Sequence, residues 1–179
     1  MSRKQAREIA LHLIFEMGFQ DFKAEEVLAD RLDESIMASI SGDIALYAGK
    51  LGEAETSYIH EVVIGVAGRL SELDRDIEAF SHGWKLSRLS HMTIAILRLA
   101  LYESRYVADV PVGAAINEAV ELAKIYDTEE AAAFINGILG SIVRAENSGD
   151  APMDQTVAET AAESAEPAAP QPEAAASNV

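Results

Sequence analysis

The 179-residue chain contains no cysteine, which removes disulfide scaffolds, thiolate zinc sites and cysteine nucleophiles together. Proline is almost as scarce where it would matter: Pro111 stands alone before residue 147, and the other four prolines fall in the last 33 residues. Aromatics make up only 6% of the chain. No apolar run approaches the ~20 residues needed to cross a bilayer. Basic residues are few, 14 against 30 acids for a net charge of −16, which excludes a protein that wraps nucleic acid with a broad basic surface. The amino end is basic, but Glu8, His12 and Glu16 break what would have to be a continuous apolar segment in a signal peptide. A cytoplasmic protein is expected.

What the chain does have is alanine, leucine and helical periodicity. Ala6, Ile9, Ala10, Leu13, Ile14 and Met17 recur at the spacing of one helix face over residues 3–17, and Gly18 stops the pattern. Similar spacing predicts helices over 25–37, 55–70, 72–80, 87–106 and 111–126, with residues 43–55 ambiguous and Ser81-His82-Gly83 closing the fourth. Pro111 suits a helix start, where its missing N–H costs nothing. Asp127-Thr128-Glu129-Glu130 has capping-box form, with Asp127 as the expected cap of a last helix ending near residue 146. The 87–106 segment is apolar on nearly every side in its middle, as befits the centre of a bundle. Gly65 in the third helix costs about 1 kcal/mol unless a neighbour packs against it.

The expected fold is therefore all-α, with about seven helices in one domain over residues 1–146 and a chain long enough to bury roughly 68% of its unfolded surface. From residue 147 the composition shifts to Ala, Glu, Pro, Ser and Thr, with six acids and no base. Such a segment cannot offset its ordering entropy, so 147–179 is read as a disordered tail.

Catalytic constellations are missing: there is no Gly-rich loop ending in Lys-Ser or Lys-Thr, and no HExxH helix. His12, His60, His82 and His91 stand on separate segments and read as surface or boundary residues, so neither a metal site nor a cofactor is expected. Two local features stand out. Arg3, Lys4 and Arg7 open the chain without an acid, and Arg3, Arg7, Leu11 and Phe15 fall on one line of the helix, beside the core stripe. Cations aligned with an aromatic suit single-stranded RNA, while an ordinary basic face with a second apolar contact is the plainer alternative. Polar residues also sit inside apolar helices: Arg98, Glu103, Asn117, Glu118 and Asn136. Buried, they need partners, and mutual bonds that fix helix register are the expected role. Gly137, Gly140 and Ser141 leave a low side on the last helix for another helix to approach.

Several ordered motifs now accumulate. Ala6-Arg7-Glu8 with Ala10, Trp84-x-Leu86-x-Arg88-Leu89, Ile96-Leu97-Arg98-Leu99-Ala100-Leu101-Tyr102-Glu103, Asp109-Val110-Pro111, the run from Ala115 to Lys124, and Phe134-Ile135-Asn136-Gly137-Ile138-Leu139 together resemble the NusB family of bacterial transcription antitermination factors over residues 3–144. The resemblance implies two helical subdomains and no enzymatic activity. It also implies pairing with the ribosomal protein NusE, binding of boxA RNA in ribosomal RNA leaders, and assembly with RNA polymerase and other Nus factors, with no membrane or small-molecule substrate. By position it assigns Arg3, Lys4, Arg7, Phe15 and Phe134 to RNA, and Trp84 and Arg88 to NusE. Gln5 interrupts the basic end, and Ala131, Ala132 and Ala133 stand where relatives are often polar or basic. A protein-only helical scaffold, or a stand-alone relative of the NusB-like domain of RNA cytosine methyltransferases, is the alternative; no Gly-rich α/β domain follows Glu146.

Overall fold

A computed structural model describes residues 1–19, 23–81 and 84–149. Its regular elements are α1 (Arg3–Met17), α2 (Ala24–Arg31), α3 (Glu34–Ile40), a 3₁₀ turn (Ala45–Ala48), α4 (Glu53–Ala67), α5 (Leu70–Phe80), a second 3₁₀ turn (Leu86–Arg88), α6 (His91–Tyr106), α7 (Val112–Tyr126) and α8 (Glu129–Ser148). The fold is all-α among the described residues, with eight α-helices where the periodicity gave seven. The difference lies at Leu32-Asp33. The Asp33 carboxylate accepts from the backbone N–H of Ser35 and Ile36, so a cap starts α3 in the middle of the expected second helix.

Helices α1 to α4 pack on one another, α5 to α8 form a second group, and α6 joins the two by lying against α1 and α4 as well as α5, α7 and α8. As its composition demanded, α6 is buried on most sides, through Ala95, Ile96, Leu97, Leu99, Ala100 and Leu101. Each such branched side chain removed from water contributes about 1.5–3 kcal/mol. The approach of α4 to α6 is close because Gly65 has no side chain: a Cβ there would lie 2.0 Å from Tyr102 Cζ.

Helix ends explain several residues that looked anomalous. Ser2 and Gln5 close a reciprocal capping box on α1, with Gln5 Oε1 accepting from the Ser2 N–H at 2.9 Å. Gln5 thus starts the helix rather than merely diluting the basic end. Thr128, not Asp127, caps α8 by accepting from the Ala131 N–H at 3.0 Å. The Asp127 carboxylate instead accepts from the hydroxyls of Ser90 and Thr93, both at 2.6 Å, and so ties the first turn of α6 to the corner between α7 and α8. Helix α8 runs two residues past the expected boundary and ends on Gly149 at φ 71°, a left-handed conformation that glycine adopts without strain. The expected disorder beyond it, from residue 150, and the expected stop at His82-Gly83 lie outside the described residues.

Of the polar residues expected inside, Arg98, Glu103 and Glu118 bridge helices, whereas Asn117 and Asn136 are exposed and make no side-chain hydrogen bond among the described residues. Arg98 on α6 makes a two-pronged pair with Asp74 on α5 at 2.7 and 2.8 Å. Arg105 on α6 reaches Asp76 on α5 and Glu146 on α8. Among the described residues no helix packs on the low side of α8: nothing lies within 4 Å of a Cβ built on Gly137, and one on Gly140 would meet only Arg144.

Candidate nucleic-acid interface

The basic start of α1 is less exposed than its helical line suggested. Arg7 is buried at 6% exposure, with Leu11 fully buried below it, so the strip of Arg3, Arg7, Leu11 and Phe15 turns inward at its centre. Arg7 Nε donates to both Glu103 oxygens at 3.0 and 2.9 Å, and Nη1 lies 3.2 Å from Glu118 Oε2. Tyr58 on α4 donates its hydroxyl to Glu103 at 2.6 Å, which brings four helices to one buried charge cluster. Burial alone would lower the Arg7 pKa, but the hydrogen-bonded Glu103 carboxylate outweighs it and the pKa rises. Burial, then the Glu103 charge, pushes the Tyr58 phenol well above its ordinary range. Arg7 is therefore a structural cation, and the expected phosphate contact at this position is corrected: a phosphate would have to displace two carboxylates from a desolvated site.

Arg3 and Lys4 stay at the surface. The Arg3 guanidinium lies 4.3 Å above the Tyr58 ring and donates to the exposed Asp109, which precedes α7 by two residues of loop. Lys4 is exposed, with Glu121 of α7 in its field; Glu121 in turn accepts from Lys124 at 2.8 Å. Every cation at this end has a carboxylate close by.

The aromatic residues gather at the opposite end of α1. Arg3 and Phe15 are twelve positions apart, about 18 Å of helix. Phe15 is half-buried against the core and meets Phe19 edge-on, with centroids 4.8 Å apart. Phe19 lies parallel to the His91 ring at 4.5 Å and 11°. Across the α7–α8 corner, the half-buried Phe134 meets Trp84 at 6.5 Å and 66°. Trp84 is 54% exposed, not a core anchor, and Arg88 is exposed with no ion-pair partner among the described residues. Residues assigned by resemblance to RNA and to a protein partner thus share one surface here. Phe19 and His91 escaped sequence reasoning: Phe19 follows the helix stop at Gly18, and His91 has no partner nearby in sequence.

A groove of about 470 Å³ runs between α7 and α8, floored by Ile116, Val120 and Ala132 and edged by Asn117, Lys124 and Asn136. Ala132 and Ala133 line it. No cluster of His, Asp or Glu suited to a metal ion occurs among the described residues.

The described residues thus form a two-part, all-helical bundle whose surface offers cations and exposed rings. Comparison with known proteins gives the family. Residues 4–144 match the NusB family, and the chain belongs to it. It is 44% identical to the transcription antitermination protein NusB of Acetivibrio thermocellus over 144 residues, covering 80% of this chain and 90% of that one. It is 40% identical to the NusB of Alkaliphilus oremlandii, covering 82% and 96%. Among solved structures, T. maritima NusB superposes with a TM-score of 0.68 at 30% identity, covering 80% of this chain and 92% of that one. A structure of the antitermination factors NusB and NusE in complex with dsRNA has a TM-score of 0.63 at 22% identity, covering 80% and 96%, and shows the shared fold. The relatives are named as antitermination factors and not as enzymes, and transcription antitermination is the function of the family. No helix among the described residues is long and apolar enough to cross a membrane.

Proposed function

We propose that this protein acts in the cytoplasm as a non-enzymatic adaptor that binds single-stranded boxA RNA jointly with NusE and delivers the pair to RNA polymerase and the other Nus factors. The observation that carries the reading is the makeup of α1, which presents surface cations at its first turn and half-buried Phe15 at its last, Lys4 and Phe15 being eleven residues apart and so on one face. Arg3 and Lys4 contact phosphates, Phe15 and Phe134 stack on bases, and Trp84 with Arg88 faces NusE. A −16 protein and a basic ribosomal partner attract each other at long range, which favours fast, salt-sensitive assembly.

With Arg7 withdrawn from the surface, two α1 cations remain for phosphate. Replacing Arg3 and Lys4 by alanine should flatten the plot of log affinity against log salt by about 1.4, from about 0.7 per phosphate contact on a single strand. The measurement is a fluorescence-anisotropy titration of boxA RNA into the NusE-bound protein at several salt concentrations. An unchanged slope removes the α1 site. Retention of scrambled RNA as well as boxA by the NusE-bound protein favours a protein-only scaffold.

A further inference from the structure

We propose that Phe19 and His91 form a second base-stacking platform, continuing the surface begun by Phe15, for a second unpaired base of the same RNA strand; this rests on the RNA-binding reading above. Among the described residues Phe19 is the most exposed large hydrophobic side chain, at 57%. It reaches past the end of α1 to lie flat on His91, the first residue of α6, at 4.5 Å and 11°. A parallel pair covers one face of each ring. With both residues exposed, an outer face stays open to solvent, at the spacing a third planar ring would continue.

The surroundings favour a nucleobase over an apolar protein surface. Gly18 and Ser90, which precede the two rings in sequence, are exposed and carry no apolar side chain, and the neighbouring Leu89 and Met92 are half-buried against the core. Helix α6 has no acid in its first turn, and the nearby Asp127 carboxylate is already occupied by the Ser90 and Thr93 hydroxyls. Arg88, read above as facing NusE, is exposed and precedes His91 by three positions, so the platform borders that face. Phe15 stands nearly perpendicular to Phe19 at 73°. Bases on the two surfaces would therefore be unstacked from each other, the splayed arrangement in which proteins read single-stranded RNA.

The test uses the full chain with NusE at pH 8 and single-stranded boxA RNA carrying 2-aminopurine at one position at a time. Phe19→Leu keeps bulk but removes the π-face, and His91→Ala removes the supporting ring. Each should weaken RNA binding at least about fivefold, the lower end for loss of one base stack. One and the same 2-aminopurine position should lose its quenching in both, and Phe19→Leu should leave the salt slope unchanged. Phe19→Tyr, which preserves stacking, should bind as the parent does, which guards against a folding artefact. Unchanged RNA affinity in Phe19→Leu and His91→Ala, with the parent still binding, overturns the platform and leaves the α1 site standing. Weakened NusE capture without RNA, at unchanged RNA affinity, assigns the patch to protein and also overturns it. Failure of the parent to bind RNA removes the reading on which the platform rests.

Discussion

Arg7 and Glu103, ninety-six positions apart in sequence, meet in the interior through two hydrogen bonds from one guanidinium nitrogen. The pair joins α1 to α6 across the boundary between the two helical groups. Removing one partner from such a pair leaves a buried charge without compensation, at a cost of about 3–5 kcal/mol. Glu103→Ala should therefore lower unfolding stability by that order in urea melts. The double variant Arg7→Met/Glu103→Gln should be distinctly more stable than the sum of its single changes, and additive effects would show that the pair is not coupled.

The Arg3 to Asp109 contact is exposed on both sides, at 40% and 66%. It holds a cation that the proposed RNA site would use. An exposed pair is worth about 1 kcal/mol or less, so releasing it should change little in stability. Asp109→Asn should strengthen single-stranded RNA binding by up to about fivefold at low salt, with the gain fading above physiological salt. Weaker binding in this variant would mean that Asp109 orients Arg3 for RNA rather than competing for it.

Gly65 lets α4 approach Tyr102, and a methyl group there has no room. Alanine would gain up to ~1 kcal/mol of helix propensity, but overpacking typically costs about 1–3 kcal/mol. Gly65→Ala should accordingly lower the melting temperature, and Tyr102→Leu in the same chain should recover part of the loss. A stabilised Gly65→Ala protein would show that α4 and α6 separate easily.

His12 lies between Tyr47 and Tyr126, with Nδ1 3.1 Å from the Tyr47 hydroxyl. Burial lowers its pKa below the ordinary 6.5, against a smaller opposing pull from Glu8. Across the interval below pH 6.5 the unfolded chain then binds more protons than the folded one, so stability falls as pH drops through it and is independent of His12 above it. Urea melts from pH 8 to pH 5 should show this decline, and His12→Gln should flatten it. An equal decline in both proteins would assign the effect to other groups.

Much of the helical frame was legible because apolar spacing records which face is buried: α1, α6 and α7 lie close to where the pattern put them. Periodicity could not show the break at Leu32-Asp33, since Val27, Leu28 and Ile36 continue a plausible stripe while one carboxylate restarts the helix. The site was half legible. The placing of Arg3, Lys4 and Phe15 along α1 followed from spacing and their proposed RNA role from the family resemblance, but a buried arginine has the same letter as an exposed one, and only Glu103 and Glu118, far along the chain, decide its fate. Phe19 and His91 come together only through the packing of α1 against α6, which local sequence does not contain.

The Asp127 carboxylate, shared by Ser90 and Thr93, has a consequence for how a ligand would be met. It anchors the α7–α8 corner to the start of α6, beside His91 and seven residues before Phe134. The ring-bearing segments at this end are then positioned before any strand arrives. A ligand landing there would spend little of its binding energy on assembling the surface, and its residence time would depend mainly on how well its own bases fit.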